Sequence, residues 1–170
     1  LNLLLFLLPF HIGWSLLVLL QPILAGLFLY LYLRKMNLSR CSSFLGGFSF
    51  ALSGFNTAWL EWNTIGHTLL WLPLILLAKE HLLKKMTICW IIIFIFAECS
   101  AILAGHLQTW FYTLILSNLY LMARIIQISI KEHSRQTYII PALKRYVPFL
   151  IIGSIIFLIT AIQWNPTLQL

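Results

Sequence analysis

Long apolar runs separated by short polar gaps cover almost the whole chain. A helix needs roughly 20 residues to cross a hydrocarbon core about 30 Å thick. The pattern therefore predicts an all-α fold, a polytopic transmembrane helical bundle in which residues 1–170 form a single domain. About six membrane-spanning helices are expected on this length criterion, within residues 14–33, 42–60, 66–83, 87–103, 106–126 and 146–162. Pro73 should bend the third. Pro9, His11 and Gly13 interrupt residues 1–13, which we expect to be an extracytoplasmic or interfacial segment.

Lysine and arginine fall in alternate gaps between the apolar runs. They form three patches: Arg34, Lys35 and Arg40; Lys79, Lys84 and Lys85; and Arg124, Lys131, Arg135, Lys144 and Arg145. Short basic loops stay in the cytoplasm when a chain crosses a bilayer repeatedly. The alternation therefore predicts a multi-pass protein of the cell membrane, with basic loops 34–40, 79–85 and 124–145 in the cytoplasm. The functional face should be the opposite one, which lacks cations.

Composition supports a membrane protein. The chain is 61% hydrophobic and 9% charged, with a formal net charge of +7. A soluble domain of this size could not bury so much apolar surface. Because the positive charge is divided among short segments beside apolar runs, the expected partner is membrane lipid with anionic headgroups, and no nucleic acid partner is expected.

Two of the predicted helices carry patterned small or polar residues. In the second, Ser43, Gly47 and Ala51 recur every four residues, a spacing that allows close helix packing in lipid, and a second such series is Ser49, Ser53 and Thr57. In the fifth, one narrow stripe contains His106, Thr109, Thr113, Ser117, Tyr120 and Arg124. Polar groups in a membrane helix face protein or water. The stripe therefore predicts either interhelical hydrogen bonds or the lining of a cavity.

The gaps without cations contain the candidate binding residues, which are Glu61, His67, Glu98, His106 and Gln108. Glu98 lies inside the fourth predicted helix, and a carboxylate in a membrane is costly unless it is neutral or paired. His106 follows across a tight turn at Gly105 and is its expected partner. Such a pair could act as general acid and base, hold a metal, or be purely structural. Glu61 is expected in an interfacial loop.

Several enzyme classes do not fit the sequence. It contains no aspartate, so neither a Ser-His-Asp triad nor an Asp-rich magnesium site for prenyl phosphates can be built from it. The Gly46-Gly47 pair lacks the Lys-Ser/Thr that follows a phosphate-binding glycine loop. No HExxH motif or zinc-type cysteine spacing occurs. The sequence therefore predicts no metal ligands and no complete catalytic set.

Four stretches, taken in order, carry a family resemblance. Residues 31–55 hold a basic segment followed by Leu-Ser-Arg, Gly-Gly and Ala-Leu-Ser-Gly, and residues 66–85 hold Gly-His, then Trp-Leu-Pro-Leu and a basic end. Residues 104–109 read Ala-Gly-His-Leu-Gln-Thr, and residues 163–170 read QWNPTLQL. Together they resemble the bacterial YfhO-type membrane proteins, which are placed with glycosyltransferases of the GT-C fold.

The resemblance implies transfer of a sugar from a polyprenyl-phosphate donor to a cell-envelope polymer, on the extracytoplasmic face. It also implies a catalytic acidic residue in the first extracytoplasmic loop. We expect that residue upstream of Leu1, so the sequence is interpreted as an internal fragment that works with the rest of its own chain. A divalent metal, where one is used, would be held mainly by residues outside this sequence. Of the five candidates, His67, His106 and Gln108 would then bind the phosphate or the sugar hydroxyls of the donor, and Glu98 would orient or charge a histidine.

The sequence departs from the family pattern at two positions. Leu107 stands where the family has proline, and Gln169 where it tends to have glutamate. Two other functions stay open at this point: a transporter or channel, whose pathway the polar stripe of the fifth helix would line, and a non-catalytic membrane subunit.

Overall fold

The computed structural model describes residues 4–132 and 139–163, which form helices joined by short turns and contain no strand. The helices are α1 Leu4–Leu7, α2 Phe10–Lys35, α3 Arg40–Ala51, α4 Gly54–Trp59, α5 Ile65–Leu69, α6 Leu72–Lys84, α7 Ile88–Leu103, α8 Leu107–Glu132 and α9 Ile139–Ile159. Three of them, α2, α8 and α9, are long and apolar enough to cross a membrane, and α7 is apolar but shorter. The all-α fold is confirmed, and the count of about six spans is not.

The first long helix begins earlier than the sequence predicted. Pro9 precedes α2 as its N-cap residue, and the helix runs from Phe10 without interruption through His11 and Gly13. Proline suits a helix start, because the first N–H groups of a helix have no partner inside it. Of the three residues expected to interrupt this stretch, Pro9 alone lies outside a helix, and Gly13 is buried in the bundle.

The segment 42–60, predicted as one span, is divided between α3 and α4. The Ser53 side chain accepts a hydrogen bond from the backbone N–H of Asn56 and so caps α4. The Asn56 side chain donates to the Phe50 carbonyl at 2.6 Å, near the end of α3. These bonds satisfy backbone groups that the break exposes, which is what allows a break among apolar residues.

The segment 66–83 is also divided, between α5 and α6. Pro73 lies in the first turn of α6, where its missing N–H removes no helical hydrogen bond. It therefore starts a helix and does not bend a continuous one. The short α5 packs against α7 and α8, and α6 packs against α2, α7 and α8.

Helices α2 and α3 approach closely through glycine. Ser43, Gly47 and Ala51 are buried along one side of α3. A Cβ atom added to Gly47 would lie 2.5 Å from the carbonyl oxygen of Gly26 in α2, so the two backbones touch. The packing predicted from this spacing is present. The second series does not pack this way, since Ser49 and Thr57 are exposed and Ser53 is a cap.

The three basic patches meet at one end of the bundle. Lys35, at the end of α2, is close enough to Glu80 and Lys84 of α6 for their charges to act on it. Arg124 of α8 binds Glu80 at 2.6 Å. Arg145 of α9 binds Glu132 of α8 at 2.5 Å. The patches therefore share one end, as a chain that crosses a membrane back and forth requires.

Most of these cations lie in helices, however, and not in loops as predicted. Lys79 and Lys84 belong to α6, and the third patch is divided between α8 and α9, with Arg135 outside the described residues. The helices extend further because lysine and arginine are good helix formers and can reach polar surroundings from a helix end. Lys79 differs from the others because it is buried in the bundle. That these patches face the cytoplasm stays a prediction.

Candidate functional site

The polar stripe on α8 faces the interior of the bundle. Thr109, Thr113 and Ser117, spaced one turn apart, are all buried, and the same side continues through Leu121, Ile125 and Ser129. The inward orientation predicted for the stripe is therefore confirmed. Each of the two interpretations holds for part of the stripe, because some of its residues bond to α6 and others line a cavity.

At the basic end, the stripe binds Glu80. Arg124 donates from Nε to one carboxylate oxygen at 2.6 Å and from Nη2 to the other at 3.0 Å. The Tyr120 hydroxyl donates to the same carboxylate at 2.6 Å. Such a two-pronged charged contact is strong and directional. It joins α6 to α8, and sequence reasoning missed it because Glu80 lies within a basic patch.

In the middle of the bundle, Lys79 and Glu98 line one cavity. Lys79 is 1% exposed, and its Nζ donates to Ser117 Oγ at 2.9 Å. Glu98 is buried and accepts a hydrogen bond from Trp110 Nε1 at 3.4 Å. The cavity has a volume of about 560 Å³ and lies among α7, α8 and α9, with mostly apolar walls. The sequence alone does not single out Lys79 as a site residue, because a lysine near a predicted helix end is typical of a cytoplasmic loop.

The expected pair of Glu98 and His106 does not form. His106 Nδ1 accepts the backbone N–H of Thr109 at 3.2 Å and lies 2.8 Å from its hydroxyl, so the ring caps α8. Trp110, one turn further along α8, reaches Glu98 in its place. The tight turn was predicted correctly, since Gly105 has a φ of +94°, which favours glycine. The error lay in the orientation of the side chains after the turn.

His106 and Gln108 instead line a second cavity, which we call the outer groove. It has a volume of about 520 Å³ and lies between α4, α5 and the start of α8. Its aromatic walls are Phe55, Trp59 and Tyr112. Gln108 Nε2 donates to the Tyr112 hydroxyl at 2.9 Å. The outer groove is thus an aromatic cleft with convergent polar groups, as in many small-molecule sites.

The other two candidates lie elsewhere. His67 is buried in α5, and its Nδ1 atom has no hydrogen-bond partner in the part of the chain that the structure describes. Close to it in sequence, Asn63 adopts a positive φ and accepts a hydrogen bond from Gln21 of α2. Glu61 is exposed in the turn between α4 and α5. The structure therefore brings together only His106 and Gln108 of the five candidates.

The charged residues of the cavity bear on metal binding. Glu98 stands near the Lys79 ammonium, which competes with a metal cation for the carboxylate. Within residues 4–132 and 139–163, no three His, Cys or Glu side chains come close enough to hold a metal ion.

Comparison with known proteins identifies the family. The family model described as bacterial membrane protein YfhO matches residues 1–169. Neither a curated protein nor a solved structure matches the chain. The match spans nearly the whole sequence and agrees with the four ordered motifs and with the apolar helices α2, α8 and α9. The chain therefore belongs to the YfhO family of bacterial membrane proteins.

Proposed function

We propose that the chain forms part of the membrane domain of a GT-C-like glycosyltransferase. The enzyme moves a sugar from a polyprenyl-phosphate carrier to a cell-envelope polymer on the extracytoplasmic face. The observation that carries this proposal is the outer groove, where the aromatic rings of Trp59 and Tyr112 stand beside His106 and Gln108. Aromatic walls with a few placed polar groups suit a ligand that has both apolar faces and hydroxyl groups.

The hydrogen bonds in the outer groove leave His106 a donor and Gln108 an acceptor for a ligand. Since His106 Nδ1 accepts the Thr109 N–H, the neutral ring carries its proton on Nε2, which can donate to a phosphate or a hydroxyl. Since Gln108 Nε2 donates to Tyr112, the amide oxygen of Gln108 can accept from a hydroxyl. These two residues would bind and orient the donor sugar. The main catalytic carboxylate is proposed to come from elsewhere in the protein.

The position of the outer groove suits a lipid-linked donor. It lies at the turn before α8, whereas Arg124 and the other basic residues lie towards the opposite end. By the positive-inside rule, the groove end is then extracytoplasmic. Tyr112 and Leu116, on its edge, are more than half exposed and belong to a candidate membrane span. The carrier chain could therefore remain in lipid while the sugar enters the groove.

The hydrogen bonds of the α8 stripe support a transporter or channel less well than they support a transferase. It required the α8 stripe to line a pathway, but Ser117 is bonded to Lys79, and both Tyr120 and Arg124 are bonded to Glu80. Those bonds join helices, so they support the structural interpretation of this half of the stripe.

In the whole protein, His106→Ala should lower sugar transfer by about 10- to 100-fold, because one hydrogen bond to a charged group is lost. The test measures labelled sugar transferred from a polyprenyl-phosphate donor in membranes, normalised to inserted protein. His11→Ala is the matched control, since His11 is exposed in the first turn of α2. Glu98→Gln should have a much smaller effect, because Glu98 lies outside the outer groove and the new amide oxygen can still accept from Trp110. Normal transfer by the His106→Ala protein would refute the proposed role.

A further inference from the structure

The cavity that contains Lys79 and Glu98 is separate from the outer groove and is not used by the proposed sugar transfer. Its outer wall is the side of α9 that carries Leu150, Gly153 and Phe157. Leu150 and Phe157 are each 53% exposed, and a Cβ atom added to Gly153 would meet nothing within 4 Å. Because α9 is a candidate membrane span, this exposed side of the helix lies at membrane depth. The cavity thus places two buried charged groups behind a helix side that an amphiphile in the membrane can approach.

Lys79 has hydrogen-bonding capacity that the protein does not use. A lysine ammonium carries three N–H donors. One of them is bonded to Ser117, and the ammonium lies 5.5 Å from the centroid of the Phe94 ring. No other hydrogen bond to Lys79 occurs among residues 4–132 and 139–163. A buried ammonium with unpaired donors is costly in a membrane, so a group that accepts from it is favoured.

Glu98 likewise has hydrogen-bonding capacity that the protein does not use, but as an acceptor and not as a donor. A carboxylate has about four lone-pair sites, and Trp110 donates to one of its oxygens at 3.4 Å. The charge of Glu98 acts on Lys79, yet the two form no ion pair in the described part of the chain. A ligand between them must therefore accept hydrogen bonds from the ammonium and donate hydrogen bonds to the carboxylate.

The charge balance decides the class of ligand. When Lys79 and Glu98 carry opposite charges, an anionic headgroup is attracted by the lysine but repelled by the glutamate, and a cationic headgroup meets the reverse. Hydroxyl groups both accept and donate, so they satisfy both side chains without adding charge. We propose that this cavity binds a single-chain amphiphile with an uncharged, hydroxyl-bearing headgroup, such as a monoacylglycerol, which enters from the lipid past α9.

The size and lining of the cavity suit that ligand. Its volume of about 560 Å³ falls within the range of about 300–1,000 Å³ typical of small-molecule sites. Beyond the charged residues, the walls include Ile102, Phe149 and Phe157, which provide apolar contact for a hydrocarbon chain. The headgroup therefore lies at Lys79 and Glu98, and the end of the chain extends into the lipid.

Binding can be measured by fluorescence quenching, because Trp110 lines the cavity. The whole protein is placed in phosphatidylcholine nanodiscs and titrated with a monoacylglycerol brominated on its chain. A fatty acid and an alkyltrimethylammonium with the same brominated chain are the comparison probes. The monoacylglycerol should quench saturably and bind about tenfold more tightly than either charged probe. Each charged probe forms about one hydrogen bond fewer in the cavity, which lowers its affinity by about that factor. Trp110→Phe should remove the saturable component.

Two variants test the charged residues. Lys79→Met should weaken monoacylglycerol binding about tenfold, whereas Lys84→Met, an exposed lysine on the same helix, should leave it unchanged. Glu98→Gln removes the negative charge and should reverse the preference in favour of the fatty acid. This reversal provides a test that does not depend on the folding of the Lys79 variant. Equal quenching by all three probes, or an unchanged preference in the Glu98→Gln protein, would overturn the proposal.

Discussion

Arg124→Leu should lower the free energy of unfolding of the bundle by about 3–5 kcal/mol, because it leaves a buried carboxylate without its cation. The Glu80 side chain is 5% exposed and receives two hydrogen bonds from Arg124. Tyr120 remains as a partner, but a hydroxyl cannot balance the charge. The measurement is reversible unfolding of the purified protein in detergent, followed by circular dichroism.

Two controls distinguish the effect of burying the Glu80 carboxylate from the effect of losing an ion pair. Arg145→Leu removes an ion pair whose side chains are 32% and 48% exposed, so it should cost at most about 1 kcal/mol. Combining Glu80→Leu with Arg124→Leu removes both charges, and most of the lost stability should return. Similar losses for Arg124→Leu and Arg145→Leu would show that the Glu80 contact contributes no more than a surface ion pair.

Gly47→Leu should destabilise the contact between α2 and α3 by about 1–3 kcal/mol or more. The new Cβ atom would lie 2.5 Å from the carbonyl oxygen of Gly26, which is backbone and cannot rotate away. The two helices must therefore separate. The loss should appear as a lower midpoint in thermal unfolding in detergent.

Gly153→Leu is the matched control for this change. An added Cβ atom at Gly153 would meet nothing within 4 Å, and leucine has the higher helix propensity. The control should therefore be neutral or slightly stabilising. If Gly47→Leu unfolds at the same temperature as the unaltered protein, the close approach of α2 and α3 does not contribute to stability.

Hydropathy predicted the long helices well and the broken ones poorly. The apolar runs of α2, α8 and α9 are long enough to cross a membrane, so the mean hydropathy over a segment of that length locates them. The break after Ala51 depends on a few local hydrogen bonds, and the one after Leu69 is followed by a proline in the first turn of α6; an average over many residues detects neither. The signals were present nonetheless: Ser53-Gly54 is typical of a helix start, and Pro73 suits a first turn.

The candidate site could be predicted by its position along the chain but not by its partners. His106 and Gln108 follow directly from the polar turn before α8, and they do share the outer groove. The pairing of Glu98 with His106 was wrong, because the orientation of a side chain after a turn depends on where the helix begins. Lys79 was missed for a related reason: its sequence position near a helix end does not show that it points inward.

The central claim is that the outer groove opens on the extracytoplasmic side of the membrane. Cysteine accessibility in intact cells tests this claim most directly. Cys41, Cys89 and Cys99 are first replaced by serine. Single cysteines are then introduced at three exposed positions, as Trp62→Cys, Leu38→Cys and Met86→Cys. A membrane-impermeant maleimide should label the first in intact cells and the other two only after permeabilisation. Labelling of Leu38→Cys from outside, with protection of Trp62→Cys, would place the outer groove in the cytoplasm and contradict the proposed function.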